Sequence, residues 1–264
     1  MEKRKVGDVE VVALIDNIQA WPGSAIYPDA GGQLGAFAGY LDAEGRLELN
    51  FGCFLLVDGA RTVLVDTGWG PEFNGKLLDE LKAAGVDRSA IDTVIFTHLH
   101  GDHTGWNIDR ASGEALFPRA RYLVPKADWE HYGAESPPPE SFTRDVVPLE
   151  AMKRLDFVEG ETTLSPSLKA VSTPGHTPGH TSVAITSGGQ QGFILGDVVI
   201  SEIDAQETGW ANSFDSDSAL ARATRVRVVG ELAASGALVG ASHLRVPGFG
   251  RFVRDGAKTG WVAG

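Results

Sequence analysis

Residues 94–103 read VIFTHLHGDH, an apolar, β-branched run that ends abruptly in three histidines and an aspartate. Val94, Ile95 and Phe96 have the character of a buried strand, and Thr97 to His103 read as the loop at its end, where Gly101 lets the backbone turn tightly. In an extended loop, residues two apart point the same way, so the imidazoles of His98 and His100 can reach one ion. Asp102 and His103 are adjacent, face apart and can serve a second ion. Seven histidines occur in 264 residues, and three of them fall within six positions beside an aspartate. A polar surface loop has no reason to cluster them so.

Further along, the chain repeats this logic. Leu168 to Ser172 is strand-like and runs into TPGHTPGH, residues 173–180, where glycines allow turns and prolines stiffen them. Phe193 to Leu195 ends in Gly196-Asp197, and Leu238 to Ala241 in Ser242-His243. Each of these is a chemistry-bearing side chain at the end of a strand, where α/β proteins place their sites.

HLHGDH resembles the HxHxDH signature of the metallo-β-lactamase superfamily, a group of metal-dependent hydrolases that needs further ligands downstream. The resemblance covers roughly residues 50 to 245. It implies an α/β fold, the four-layer αββα sandwich built from two similar halves, with the metals in the cleft between the sheets. It also implies the ligand set: His98, His100 and His176 on one ion, Asp102, His103 and His243 on the other, and Asp197 bridging them. His180 has the weaker claim and reads as an outer partner or a cap on its loop. Asp66, in the VDTG turn, resembles the family's carboxylate that holds a ligand histidine in the correct tautomer.

Composition sets the frame. With 42% hydrophobic residues the chain can bury a sizeable core, and we expect one domain over residues 1–264 with loop insertions near 20–45 and 110–160. A net charge of −12 and a pI near 5.0 disfavour nucleic acid and anionic membranes as partners. Asp8 and Glu10 interrupt the first apolar run, so it does not read as a signal peptide. No stretch approaches the ~20 apolar residues of a membrane span. The single cysteine, Cys53, reads as a small core residue and excludes an internal disulfide; a cytoplasmic location fits these features. The oligomeric state stays open, a homodimer among the options.

Val9 to Ile15 reads as a strand, and Trp21 to Gly45 as a long loop too apolar to be a linker, hence a pocket wall. Phe51–Val57 and Thr62–Val65 form a hairpin around Asp58-Gly59, and Val183–Thr186 pairs with Phe193–Leu195 around Ser187-Gly188-Gly189. Residues 75–85 form an amphipathic helix ending at Gly85. Between Phe117 and Phe157 lie a short strand, RYLVP, a helix, KADWEHY, and the SPPPE run, with His131 on a solvated face. Ser216 to Ala234 is the longest helical segment, capped by Ser216 or Asp217 and stopped by Gly236. Trp69, Trp106 and Trp210 are candidate pocket walls, with Asn107 beside Trp106 at the rim.

Imidazole and carboxylate ligands without a thiolate suit two divalent ions, Zn²⁺ first, with Mn²⁺, Fe²⁺ or Co²⁺ as alternatives. A metal-bridging hydroxide is then the expected nucleophile, with Asp102 moving the proton to the leaving group. The motifs look most like quorum-quenching lactonases that open acyl-homoserine lactones, and next like relatives that hydrolyse organophosphate triesters. Both take small, neutral, partly apolar substrates. One departure stands out: those lactonases carry a tyrosine three residues after the bridging aspartate, and here that residue is Ile200. The metallo-β-lactamases with a cysteine ligand, glyoxalase II with its THHH start, the RNA-processing nucleases and the flavodiiron proteins fit less well. The intact ligand set argues against a non-catalytic metal-binding protein.

Overall fold

Two seven-stranded mixed sheets organise the computed structural model, which describes residues 2–256 and 258–264. The first sheet runs in chain order: β1 (Glu2–Val6), β2 (Val9–Pro22), β3 (Arg46–Asp58), β4 (Arg61–Val65), β5 (Thr93–Ile95), β6 (Arg121–Pro125) and β7 (Leu155–Val158). The second holds β8 (Thr162–Thr163), β9 (Leu168–Ser172), β10 (Thr181–Ser187), β11 (Gln190–Ile194), β12 (Leu238–Gly240), β13 (Phe249–Asp255) and β14 (Lys258–Ala263), again as successive neighbours. The helices are α1 (Gly23–Ile26), α2 (Leu77–Ala83), α3 (Gly101–Thr104), α4 (Lys126–Ala134), α5 (Val147–Ala151), α6 (Ile203–Gln206) and α7 (Ser218–Ser235).

Turn chemistry and crossovers account for this order. Asp58 pairs with Arg61 and Ser187 with Gln190, so both expected hairpins close through two-residue turns. Strands β4 to β7 are mutually parallel, as are β11 and β12. Parallel neighbours need a crossover, and α2, α4 with α5, and α7 supply helical ones between β4 and β5, β6 and β7, and β11 and β12. The side chain of Asp217 caps α7 by accepting from the amides of Ala219 and Leu220, as its position predicts.

Alternation along the strands builds the layers. Phe54 and Leu56 of β3, with Val11 and Ala13 of β2, face the second sheet and pack on Ala170, Val183, Ile185 and Phe249. Their neighbours Leu55, Val12 and Leu14 point the other way, onto Leu77 and Leu81 of α2 and onto Phe142 and Leu149. Over the second sheet, Val228, Val229 and Leu232 of α7 cover Val239 and Phe252. Strands buried on both faces read as continuous apolar runs, which is why β3 and β4 were legible. The result is the αββα sandwich.

Three expectations need correction. Strand β1 and the β13–β14 hairpin lie outside the segments singled out from sequence, because Glu2–Val6 alternates charged residues with little apolar signal. The stretch from Trp21 to Gly45 is more regular than a long loop: β2 continues through Pro22, α1 follows, and residues Gly31–Phe37 form a 3₁₀ helix. The 97–103 loop is extended only to His100, after which α3 begins at Gly101. Among the described residues no helix is long and apolar enough to cross a membrane.

Candidate metal centre

Strand ends from both sheets deliver the site. His98 and His100 follow β5, Asp102 and His103 ride on α3, His176 lies between β9 and β10, Asp197 follows β11 and His243 follows β12. One group brings together His98, His100, His176 and Asp197, and a second Asp102, His103 and His243, with the ligand-type atoms of each group within 4.8 Å of one another. The Nδ1 of His100 stands 2.9 Å from His98 Nε2 and 3.1 Å from His176 Nε2. Asp197 lies between the groups: its Oδ2 is 3.3 Å from His176 Nε2 and 3.0 Å from His243 Nε2, and its Oδ1 is 3.4 Å from His103 Nε2. Asp102 Oδ2 is 3.4 Å from His103 Nε2 and 3.6 Å from His243 Nε2. All seven side chains sequence reasoning proposed therefore meet at one place.

Outer hydrogen bonds fix which ring nitrogen is free, and they assign the tautomers. The Nδ1–H of His103 donates to Asp66 Oδ2 at 2.9 Å. The Thr97 hydroxyl donates to the same carboxylate and accepts from His98 Nδ1, 3.0 Å away. Nδ1 of His243 donates to the Asn50 carbonyl at 2.8 Å, and Nδ1 of His176 to Asp215 Oδ1 at 3.1 Å. The Nδ1 of each of these four rings is thus engaged outward, and its Nε2 faces the cluster, the atom a cation would take. His180 is not among the ligands: its Nε2 accepts from the Asp197 amide and its Nδ1 meets Thr173. It holds the Asp197 backbone in place, and a Cβ on Gly196, which has φ +60°, would sit 2.7 Å from that Nε2.

Electrostatics agree with a cation-binding site. Burial, with the neighbouring His103, drives His98 well below its ordinary pKa; burial, with His176, brings His100 down to about 4, and both rings are neutral near pH 7. The opposite holds around the carboxylates. Burial disfavours charge on His103 and His243, yet the Asp197 and Asp102 carboxylates raise both above the usual imidazole range. Burial likewise opposes ionisation of Asp102, and His103 and His243 outweigh it, bringing its pKa down to about 2. A field that draws protons onto buried imidazoles draws cations equally. His103 Nε2 and Asp197 Oδ1 are buried without a hydrogen-bond partner, an unsatisfied state that a shared divalent ion removes.

A cavity of about 280 Å³ opens over the cluster. His100, Asp102, His176, Asp197 and His243 form its floor, and Trp21, Leu49, Phe51, Trp69, Ile200 and Phe214 its walls. No lysine or arginine lines it among the described residues. Trp21 and Phe214 meet edge to face, 5.7 Å between centroids. Trp69 is thus a wall, whereas two other tryptophans are not. Trp106 is tied by its indole N–H to Asp16, 2.8 Å away, and Trp210 packs behind the wall on Tyr27 and Phe37. Asn107 is buried, bonded to Thr67 and to the Asp145 carbonyl, and forms no rim. His131 is exposed on α4, as expected.

Sequence reasoning missed four buried charged groups that hold the site. Asp16 accepts from the amides of Trp69 and Leu77, each at 2.8 Å, and so shapes the turn that carries Trp69. Asp128 accepts from Leu99 N, Thr177 Oγ1 and Gly179 N, joining the two histidine loops. Asp215 and Arg225 stand behind His176. Asp16 lies within β2, Asp128 and Arg225 within helices and Asp215 in the loop before α7, so no local spacing marks them as a set.

Comparison with known proteins agrees with this geometry. The family model of the metallo-beta-lactamase superfamily matches residues 53–234. An N-acyl homoserine lactonase of Bacillus sp is 29% identical over 213 residues, 69% of this chain and 77% of the relative. Among solved structures, the hydrolase AbOPH of the beta lactamase superfamily superposes with a TM-score of 0.89 at 26% identity, over 99% of this chain and 96% of that one. AidC, described as a dizinc quorum-quenching lactonase, superposes with a TM-score of 0.88 at 24% identity, over 100% of this chain and 97% of the other.

Proposed function

Because the chain belongs to the metallo-β-lactamase superfamily, we propose that it is a binuclear metal-dependent hydrolase that opens lactones of the acyl-homoserine type or cleaves related esters. The observation that carries this reading is the pairing of a cluster of seven ligand-type side chains, five of them on the cavity floor, with apolar walls free of lysine and arginine. Such a cavity has no counter-charge for an anionic phosphate and suits a neutral substrate with an apolar arm. The similarity to the Bacillus lactonase supports the choice of lactones. In this reading the 264 residues act as one domain in the cytoplasm, with loop insertions near 20–45 and 110–160.

The donor set suits Zn²⁺, and Mn²⁺, Fe²⁺ or Co²⁺ as alternatives: His98, His100 and His176 would hold one ion, Asp102, His103 and His243 the other, and Asp197 both. Two such ions, when bound, supply Lewis acidity and bring a water to ionise near neutral pH. The protein's own residues do the rest. Phe51, Trp69, Ile200, Trp21 and Phe214 receive the apolar part of the substrate and exclude bulk water from the reacting carbonyl. Asp102 faces His103 and His243 through Oδ2, so its Oδ1 can take the proton of the attacking water and return it to the leaving alkoxide. Among the described residues no tyrosine lines the cavity, and Ile200, at the position where the lactonases this chain resembles carry one, forms part of its wall. That absence favours a second reading, phosphotriester hydrolysis, whose neutral substrate fits the same walls.

The test is a matched panel with zinc- or manganese-loaded protein: acyl-homoserine lactones of several chain lengths, simple γ- and δ-lactones, a p-nitrophenyl phosphotriester and a cephalosporin. We expect lactones to turn over fastest, with turnover lost in His98→Ala and Asp197→Asn. Fast phosphotriester cleavage with idle lactones would move the assignment to the second reading.

A further inference from the structure

Arg225 lies in the middle of α7 with its side chain fully buried, an uncommon place for a guanidinium. A buried charge persists only when paired and hydrogen-bonded, and this one is. Its Nη2 donates to Asp215 Oδ2 at 3.1 Å, its Nε to the Val198 carbonyl at 2.9 Å and its Nη1 to the Trp210 carbonyl at 2.6 Å. Asp204 stands 3.8 Å from Nε on the other side.

Each partner leads to the site. Asp215 spends its other oxygen on His176 Nδ1, 3.1 Å away. Val198 directly follows Asp197, so the bond to its carbonyl pins the backbone that aims the bridging carboxylate. Asp204 Oδ2 accepts from the Ile200 amide at 2.7 Å and from the Tyr27 hydroxyl at 2.8 Å, which fixes one wall of the cavity and ties the 23–41 segment to it. One planar, five-donor group thus gathers a histidine from one stretch of chain and, from another, the segment that carries both Asp197 and a wall residue. Among the described residues no buried guanidinium stands behind the second group: His103 leans on Asp66 and His243 on the Asn50 carbonyl.

We propose that Arg225 is a positioning residue that sets the affinity of the cation position formed by His98, His100, His176 and Asp197, and leaves the position formed by Asp102, His103 and His243 largely to Asp66 and Asn50. This rests on the two-cation reading above. The guanidinium touches neither substrate nor metal; it acts through Asp215 and through the 197–198 backbone.

Calorimetric zinc titration of the full-length, chelator-stripped protein tests it. Wild type should take up two equivalents. Arg225→Met combined with Asp215→Asn removes the guanidinium together with the carboxylate it bonds, while Asp204 keeps its bonds from Tyr27 and Ile200, and should weaken one equivalent at least tenfold while the other changes little, in line with the ~10–100-fold that outer-shell losses cost. Arg225→Lys, the milder variant, keeps a charge near Asp215 but cannot reach all three acceptors, and should weaken the same equivalent by a smaller factor. Imidazole ¹⁵N–¹H spectra of the metal-free proteins add a readout independent of loading: His176 should hold its proton on Nδ1 in wild type and lose that preference in the double variant. Folded variants that bind both equivalents with unchanged affinity would overturn the role of Arg225, and so would equal weakening of both, which indicates a general loss of structure. A wild-type chain that takes up no zinc would overturn the metal reading and this proposal with it.

Discussion

Asp66 keeps a left-handed backbone at φ +62°, uncommon for a residue with a side chain. It is held there because its carboxylate accepts from Thr97 N, Thr97 Oγ1 and His103 Nδ1, the last two at 2.8 and 2.9 Å through the same oxygen. Such strain persists where surrounding contacts over-determine it, and here it orders two histidines at once. Asp66→Ala should therefore lower zinc affinity at the His103 position by about 10–100-fold, measured by competition with a chromogenic chelator. Ile200 invites the reverse experiment. Ile200→Tyr places a phenol at the cavity wall and should raise kcat on lactones by up to about tenfold, short of the ~10²–10³ that an optimised oxyanion donor supplies. No change in kcat would mean that the site stabilises the oxyanion without such a donor. At this scale the histidines were legible because they cluster in sequence. Asp16, Asp128 and Arg225 were not, because their partners are distant: Asp128 meets Gly179 across 51 positions.

Elements carry the site in pairs. The loop after β5 and the loop between β9 and β10 come from different sheets, and Asp128 at the start of α4 accepts from both. Asp128→Ala leaves two amides and a hydroxyl unpaired in the interior, which should cost about 3 kcal/mol, read as a shift in urea unfolding of the metal-free protein. A smaller shift would mean that water replaces the carboxylate. On the wall, Trp21 ends β2 and Phe214 sits in a loop stitched to α1 by the Ser213 amide and hydroxyl. Phe214→Ala should raise KM for long-chain acyl lactones about tenfold, the ~1.5 kcal/mol or more of a lost apolar contact, while leaving kcat near wild type. A uniform loss on short and long chains alike would remove the wall from substrate binding. The aromatic character of residues 21–40 suggested a pocket wall, but only Trp21 of that stretch lines the cavity, and Tyr27 and Phe37 pack behind it on Trp210. The shape of the stretch was not legible, since short helical turns without periodicity leave no pattern in so few residues.

At the scale of the molecule, a β-sandwich with helices on both faces joins two halves whose strand ends face one another across the histidine–aspartate cluster. Ions bound by side chains of both sheets stabilise the folded chain by mass action, about 2.7 kcal/mol per site at a hundredfold excess over Kd. Chelation of both ions should then lower Tm by roughly 10–20 °C, given ~2–4 °C per kcal/mol for chains of this size. Strand ends bearing His, Asp and Gly made the architecture readable, because a motif and its downstream partners constrain topology jointly. The edges were silent: β1 and the β13–β14 hairpin bear no chemistry and little apolar run. The most direct measurement is anomalous diffraction at the zinc edge from zinc-loaded crystals. Two peaks about 3.5–4 Å apart, one among His98, His100 and His176, the other among Asp102, His103 and His243, with Asp197 reaching both, are the result expected. A single peak, or peaks elsewhere on the chain, would contradict the binuclear centre on which the proposed hydrolase rests.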